Sequence, residues 1–223
     1  MIFIVLTLLT GLSPLEMEHA GLLPEAGAAW GTENDLPGQV RIMGRLIEEA
    51  IYSGDGRRAL LLVLELQSVH SDNDLADFWM ARIAWTTGLS EYAADELMLI
   101  SSSDSWLLHR SRGLSALFRE DGETAVEELT ISIASASTSR RAFWSAIDLC
   151  SAYLNTGQYE EALHLSRLIR VHYPGDAFGD VMYGLCLQVS GQFGESSRVL
   201  STVDPSNPAA ELMARRIMEG FEQ

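Results

Sequence analysis

Lysine is missing from this chain altogether: all 15 of its cationic side chains are arginines. They face 31 carboxylates, leaving a formal net charge of −16. A surface this acidic repels phosphate backbones. Arg57–Arg58, Arg140–Arg141 and Arg215–Arg216 are isolated doublets, not a basic stripe, so nucleic acid is not an expected partner. Cysteine is scarce as well. Cys150 and Cys186 are too few for a disulfide framework and form no Cys-x-x-Cys pair. Both fall in apolar stretches of helical pattern, where a thiol packs as a small hydrophobe; a disulfide between neighbouring repeats is open to them only if the protein is exported. Six prolines leave most of the 223 residues without a strong helix breaker. A hydrophobic content of 47% suffices for a substantial core and excludes wholesale disorder.

Catalytic motifs are also lacking. The chain has no Gly-x-Ser-x-Gly, no phosphate loop ending in Gly-Lys and no His-Glu-x-x-His. Ser53-Gly-Asp-Gly56 is glycine-rich but reads as a turn. Asp72-Asn-Asp74 lacks the glycine and distal glutamate of a calcium loop and reads as a helix-capping loop. Of the histidines His19, His70, His109, His164 and His172, only the last two share a predicted helix. Eight residues apart, they are too distant for one metal ion. His164 follows Glu160 by four residues, which reads as a helix-surface pair. In Glu127–Glu128 and Glu160–Glu161 adjacent helical positions diverge by about 100°, so these are solvated faces, not paired carboxylates. No catalytic residue, metal, cofactor or small-molecule substrate is implied.

Residues 2–12 form an uncharged, mostly apolar run closed by Ser13-Pro14. A helix of that length reaches about 16 Å, too short for a bilayer core of about 30 Å. The length suits a secretory signal peptide, with Ala26-Gly27-Ala28 as small residues suited to cleavage, although no Lys or Arg precedes the run. The alternatives are an exported protein, periplasmic or secreted, and a cytoplasmic one whose apolar segment docks on the first repeat or touches a membrane. Residues 14–39, with Pro14, Pro24 and Pro37, read as a linker.

Beyond residue 40 the chain is periodic. Gly54 and Gly88 stand 34 residues apart, as do Gly157 and Gly191, and Pro174 and Pro208. Five residues after each of these glycines comes a small residue, Ala59, Ala93, Ala162 and Ser196; Ala125 fills the gap, giving spacings of 34, 32, 37 and 34. In the third unit the turn glycine is displaced to Gly122. Small residues at Ala81, Gly113 and Gly184 let a first helix approach a second. Apolar residues return at helical spacing as Val63 and Leu66, Leu97 and Ile100, and Leu200 and Val203. The third unit is less regular, with Leu129 followed by Ser132 in the next slot and Ile133 one beyond.

The segment Leu149-Cys-Ser-Ala-Tyr153-Leu-Asn-Thr-Gly157-Gln-Tyr159-Glu-Glu-Ala162-Leu163, followed by Pro174-Gly-Asp, resembles a tetratricopeptide repeat. Tyr183-Gly184, Leu187, Gly191, Phe193, Ser196, Leu200 and Pro208 continue the likeness. The resemblance covers about 170 residues. It implies an all-α fold: a right-handed α-α superhelix, or solenoid, of five helix pairs (40–73, 74–105, 106–142, 143–176 and 177–210). A capping helix follows within 209–223, striped by Ala210, Met213, Ala214, Ile217, Met218 and Phe221. It further implies a concave groove lined by first helices, which receives an extended peptide or a helix of another protein. Carried onto this chain, the outward slots are Phe78, Arg82 and Trp85; Leu107, Arg110, Leu114 and Leu117; Trp144, Ile147, Ser151 and Leu154; and Phe178, Val181, Leu185 and Gln188. The set suits a hydrophobic segment, with Arg82 and Arg110 meeting an acidic group or a C-terminal carboxylate. The competing expectation is a groove filled by the chain itself. The expected function is a non-catalytic scaffold or adaptor, in a bacterial cell envelope if the signal segment is real. A self-assembling or membrane-associated helical module is the alternative, and a helical enzyme a remoter one.

Overall fold

The computed structural model of the chain describes residues 36–69 and 73–220, and every regular element among them is an α-helix, as the all-α expectation requires. In order these are α1 Leu36–Tyr52, α2 Gly56–Val69, α3 Asn73–Thr86, α4 Ser90–Leu99, α5 Ser105–Phe118, α6 Gly122–Ser135, α7 Ser139–Asn155, α8 Tyr159–His172, α9 Ala177–Val189, α10 Phe193–Leu200 and α11 Pro208–Gly220. The apolar run 2–12, the following segment as far as Asp35, His70, Asp72 and Phe221 lie outside the described residues. Helix α1 begins at Leu36, inside the stretch read as linker. Pro37 is compatible with that start, because the first turn of a helix has no use for its N–H. Two compact units divide the chain between Ile83 and Ala84, within α3.

Five times the chain ends one helix and starts the next with the same turn. Gly54, Gly88, Gly157 and Gly191 hold φ between 75° and 87°, the left-handed region that glycine enters without a Cβ penalty. The residue after each donates its N–H to a carbonyl in the last turn: Asp55 to Ala50 at 2.9 Å, Leu89 to Ala84 at 3.1 Å, Gln158 to Tyr153 at 2.8 Å and Gln192 to Leu187 at 2.9 Å. Orphan carbonyls of the helix end are thereby satisfied. In the third unit Glu120 takes this place, with φ 63° and the matching bond from Asp121 to Ala116 at 2.9 Å. The turn is therefore not displaced to Gly122. That glycine opens α6 for a different reason: a Cβ on it would lie 1.9 Å from Cγ2 of Thr156.

Five residues beyond each turn, Ala59, Ala93, Ala125, Ala162 and Ser196 are completely buried. Where α5 crosses α6, a Cβ on Gly113 would fall 2.6 Å from Cγ of Leu129; where α9 crosses α10, one on Gly184 would fall 2.4 Å from Cδ2 of Leu200. Ser196 also donates its hydroxyl to the Gly184 carbonyl at 2.8 Å, so the one non-alanine of the series is satisfied. Ser132, the polar residue in an apolar slot, is buried and bonded. Trp106 Nε1 donates to the Ser145 hydroxyl at 2.9 Å, Ser145 donates to the Ser132 hydroxyl at 2.8 Å, and Ser132 donates to the Trp106 carbonyl at 3.2 Å. This closed ring joins α5, α6 and α7.

In the second unit each helix packs on the next from α4 through α11, and contacts between alternate helices run α5 to α7, α7 to α9 and α9 to α11. In the first unit α1 packs on α2, and Gly44 of α1 leaves room for the Trp79 ring, 3.0 Å from the position of a Cβ. No helix among the described residues is long and apolar enough to cross a membrane.

Glu120→Gly removes a left-handed strain of about 1–2 kcal/mol and adds about 0.5–1 kcal/mol of glycine entropy. The urea midpoint is expected to rise with an unchanged slope. Gly184→Ala overfills the α9–α10 crossing and is expected to lower stability by about 1–3 kcal/mol in the same measurement.

Candidate functional site

The groove residues expected from the sequence occupy the helices assigned to them, but most face inward. Phe78 and Arg82 belong to the first unit and are buried there. The Arg82 guanidinium meets Glu48 of α1 and lies 5.0 Å from the Tyr52 ring and 5.7 Å from Phe78. Glu48 also accepts from Trp79 Nε1 at 3.2 Å.

In the second unit Leu107, Arg110, Leu114, Trp144, Ile147, Phe178, Val181 and Gln188 are buried, while Leu117, Ser151, Leu154 and Leu185 are partly so. Arg110 is 0% exposed; its Nε donates to Asp148 of α7 at 2.7 Å, and its guanidinium lies 5.4 Å from the Trp106 ring. Trp144 meets Phe178 edge to face at 5.5 Å and Phe143 at 4.9 Å. Arg110 joins α5 to α7 through Asp148, and Trp144 joins α7 to α9 through Phe178, so these outward slots reach the first helix of the next unit. The acidic group expected of a ligand at Arg82 and Arg110 is present within the chain, as Glu48 and Asp148.

Trp85 differs from the rest. It is 44% exposed and stacks face to face on Phe118, with ring centroids 4.7 Å apart and planes within 3°. Both rings sit at the C-terminal ends of their helices, α3 and α5. Phe118 was not legible as a site residue, because it lies one helical step beyond the Leu114 and Leu117 slots.

Two more carboxylates went unseen in the sequence. Asp104 caps α5, accepting from Trp106 N, and Asp176 caps α9, accepting from the backbone N–H groups of Phe178 and Gly179. The Arg140–Arg141 doublet at the start of α7 reaches both: Arg141 to Asp104 at 2.5 Å and Arg140 to Asp176 at 2.7 Å. Arg141 also covers the Trp106 ring at 4.4 Å and Arg140 the Phe143 ring at 4.6 Å. Tyr173 adds a hydroxyl donated to the Ser139 carbonyl at 2.5 Å; burial pushes its phenol above the ordinary range, against the pull of Arg140. The signal that could have found these pairs is opposite charge one repeat apart: 34 residues for Glu48–Arg82, 38 for Arg110–Asp148, 37 for Asp104–Arg141 and 36 for Arg140–Asp176.

Such pairs join helices across the repeat interval. His109 Nδ1 lies 2.7 Å from Glu128 across the α5–α6 crossing, an ion pair when the ring is protonated. Among the described residues no group of three or more His, Cys, Asp or Glu side chains could hold a metal ion.

Asp148→Ala leaves the Arg110 charge buried without its Asp148 carboxylate. It is expected to cost about 3–5 kcal/mol in denaturant melts, whereas Arg110→Met with Asp148→Leu is expected to fall within about 1 kcal/mol of the wild type or above it.

No protein-family model matches this chain, and no curated protein matches it in sequence.

Proposed function

We propose that this chain is a tetratricopeptide-like right-handed α-α superhelix acting as a non-catalytic scaffold that holds a peptide or helix of another protein. The observation carrying this reading is the recurrence of inter-helix bridges at the repeat interval. To the four ion pairs are added Tyr173 to the Ser139 carbonyl, 34 residues apart, and Trp144 against Phe178. Helices that pack each on the next, as α4 through α11 do, support such a reading, and stacked arrays of this kind work by presenting an extended surface to a partner. Export of the scaffold to a cell envelope is part of the proposal and rests on the apolar run 2–12.

With Arg110, Trp144 and Phe178 engaged inside, the contact point of the proposal is the aromatic stack of exposed Trp85 on partly buried Phe118. Flat aromatic surface at low entropic cost is the usual anchor of a protein contact. The test is affinity purification of the tagged full chain beside a Trp85→Ala/Phe118→Ala variant whose helical circular dichroism matches the wild type. Partners captured by the wild type are expected to be lost, or reduced at least about tenfold, with the variant, the loss of a hot spot of about 1.4 kcal/mol or more. Undiminished capture would place the contact elsewhere.

A further inference from the structure

The two cysteines have no part in the reading above. Cys150 lies on α7 and Cys186 on α9, helices in direct contact. Both side chains are 0% exposed, and both are free thiols. They stand 36 residues apart, the separation at which Arg140 of α7 reaches the cap of α9. That register sets them at one level of the α7–α9 seam, where each thiol shifts the titration of the other. Cys150 also approaches the Ala162 carbonyl at 3.8 Å, holding its side chain in the seam.

We propose that Cys150 and Cys186 form a redox-modification site: a reversible dithiol lock that ties α7 to α9 by a disulfide under oxidising conditions and releases them on reduction. The co-reactant is a low-molecular-weight disulfide of the glutathione class. The thiolate of one cysteine attacks one sulfur of oxidised glutathione, forming a mixed disulfide and expelling one glutathione thiolate. The other cysteine loses its proton and attacks the protein sulfur of that mixed disulfide; the Cys150–Cys186 bond forms, the mixed bond breaks, and the second glutathione leaves. Two electrons pass from the protein sulfurs to the glutathione disulfide, and the two protons end on two glutathione thiols.

In the closed seam the neighbouring Cys186, then burial, push the Cys150 thiol well above its ordinary range, so the native pair is slow to react. Because both are enclosed, a tripeptide disulfide reaches them before α9 closes on α7 or when the seam opens. Oxidation is therefore fast during refolding and slow in the native protein.

The experiment uses the full chain, reduced, unfolded and refolded in a buffer of oxidised and reduced glutathione, with a native sample held in the same buffer. Remaining thiols are alkylated under denaturing conditions, and intact masses are read alongside thermal midpoints. The expected product is a refolded monomer with no alkylatable thiol and a mass lower by two hydrogens. Its midpoint lies above that of the reduced form, and dithiothreitol reverses both changes. Native protein is expected to reach this state more slowly. Cys150→Ala and Cys186→Ala each retain a single sulfur and are expected to show no internal link. The proposal is overturned if the refolded monomer keeps both thiols, or stops at a glutathione adduct. It also fails if the sulfurs join only between molecules, or if the closed disulfide leaves the midpoint unchanged or lowered. None of these readings depends on a variant folding.

Discussion

Two adjacent arginines at the start of α7 point to opposite neighbours. Successive helical side chains diverge by about 100°, so Arg141 reaches back to Asp104 and Arg140 forward to Asp176. Each of those aspartates also caps its own helix, so one carboxylate fixes both where a helix begins and how far it sits from the next. Positive charge at a helix N-terminus is opposed by the backbone dipole; here the neighbouring caps offset it. These half-exposed pairs are worth little individually, about 0–1 kcal/mol. Deeper in the seam Arg110–Asp148 is different. Its charges are out of water, and sliding α5 along α7 would separate them there. The α5–α7 pair is held in register by that constraint, and the apolar packing is built around it.

The repeat was legible because its two requirements are local. A helix must end with a residue that tolerates left-handed backbone, and five residues later a second helix must pass close by. Gly54, Gly88, Gly157 and Gly191 with their small followers satisfy both. The third turn escaped notice because Glu120 does glycine's task with a side chain attached, and the nearby Gly122 drew attention for what is a separate contact with Thr156. The irregular Ser132 was readable as an exception but not as a solution. Its partner Ser145 lies on another helix, and only the packing brings both beneath Trp106.

The site was less legible, for a physical reason. A first helix in such a stack has two apolar stripes, and hydrophobic pattern alone does not say which one meets solvent. Trp144 and Phe178 fit a groove lining and a seam equally well in one dimension; in the structure their rings meet edge to face and join α7 to α9. The resemblance put Arg82 and Arg110 in the groove, against an acidic group of a ligand. Each meets a carboxylate about one repeat away, Glu48 or Asp148, in a separation too long for helical periodicity to register.

The placement of α11 bears on how the chain comes apart. It packs on α9 and α10 much as a further first helix would, yet no described helix follows it. None of the bridges named above reaches beyond the adjoining unit, so the loops to be closed on the way to the native state are short and of nearly equal length. Chains with contacts of this range assemble quickly and from many starting points. The same property ties unfolding to the interfaces between units, which set the cooperative length of the array.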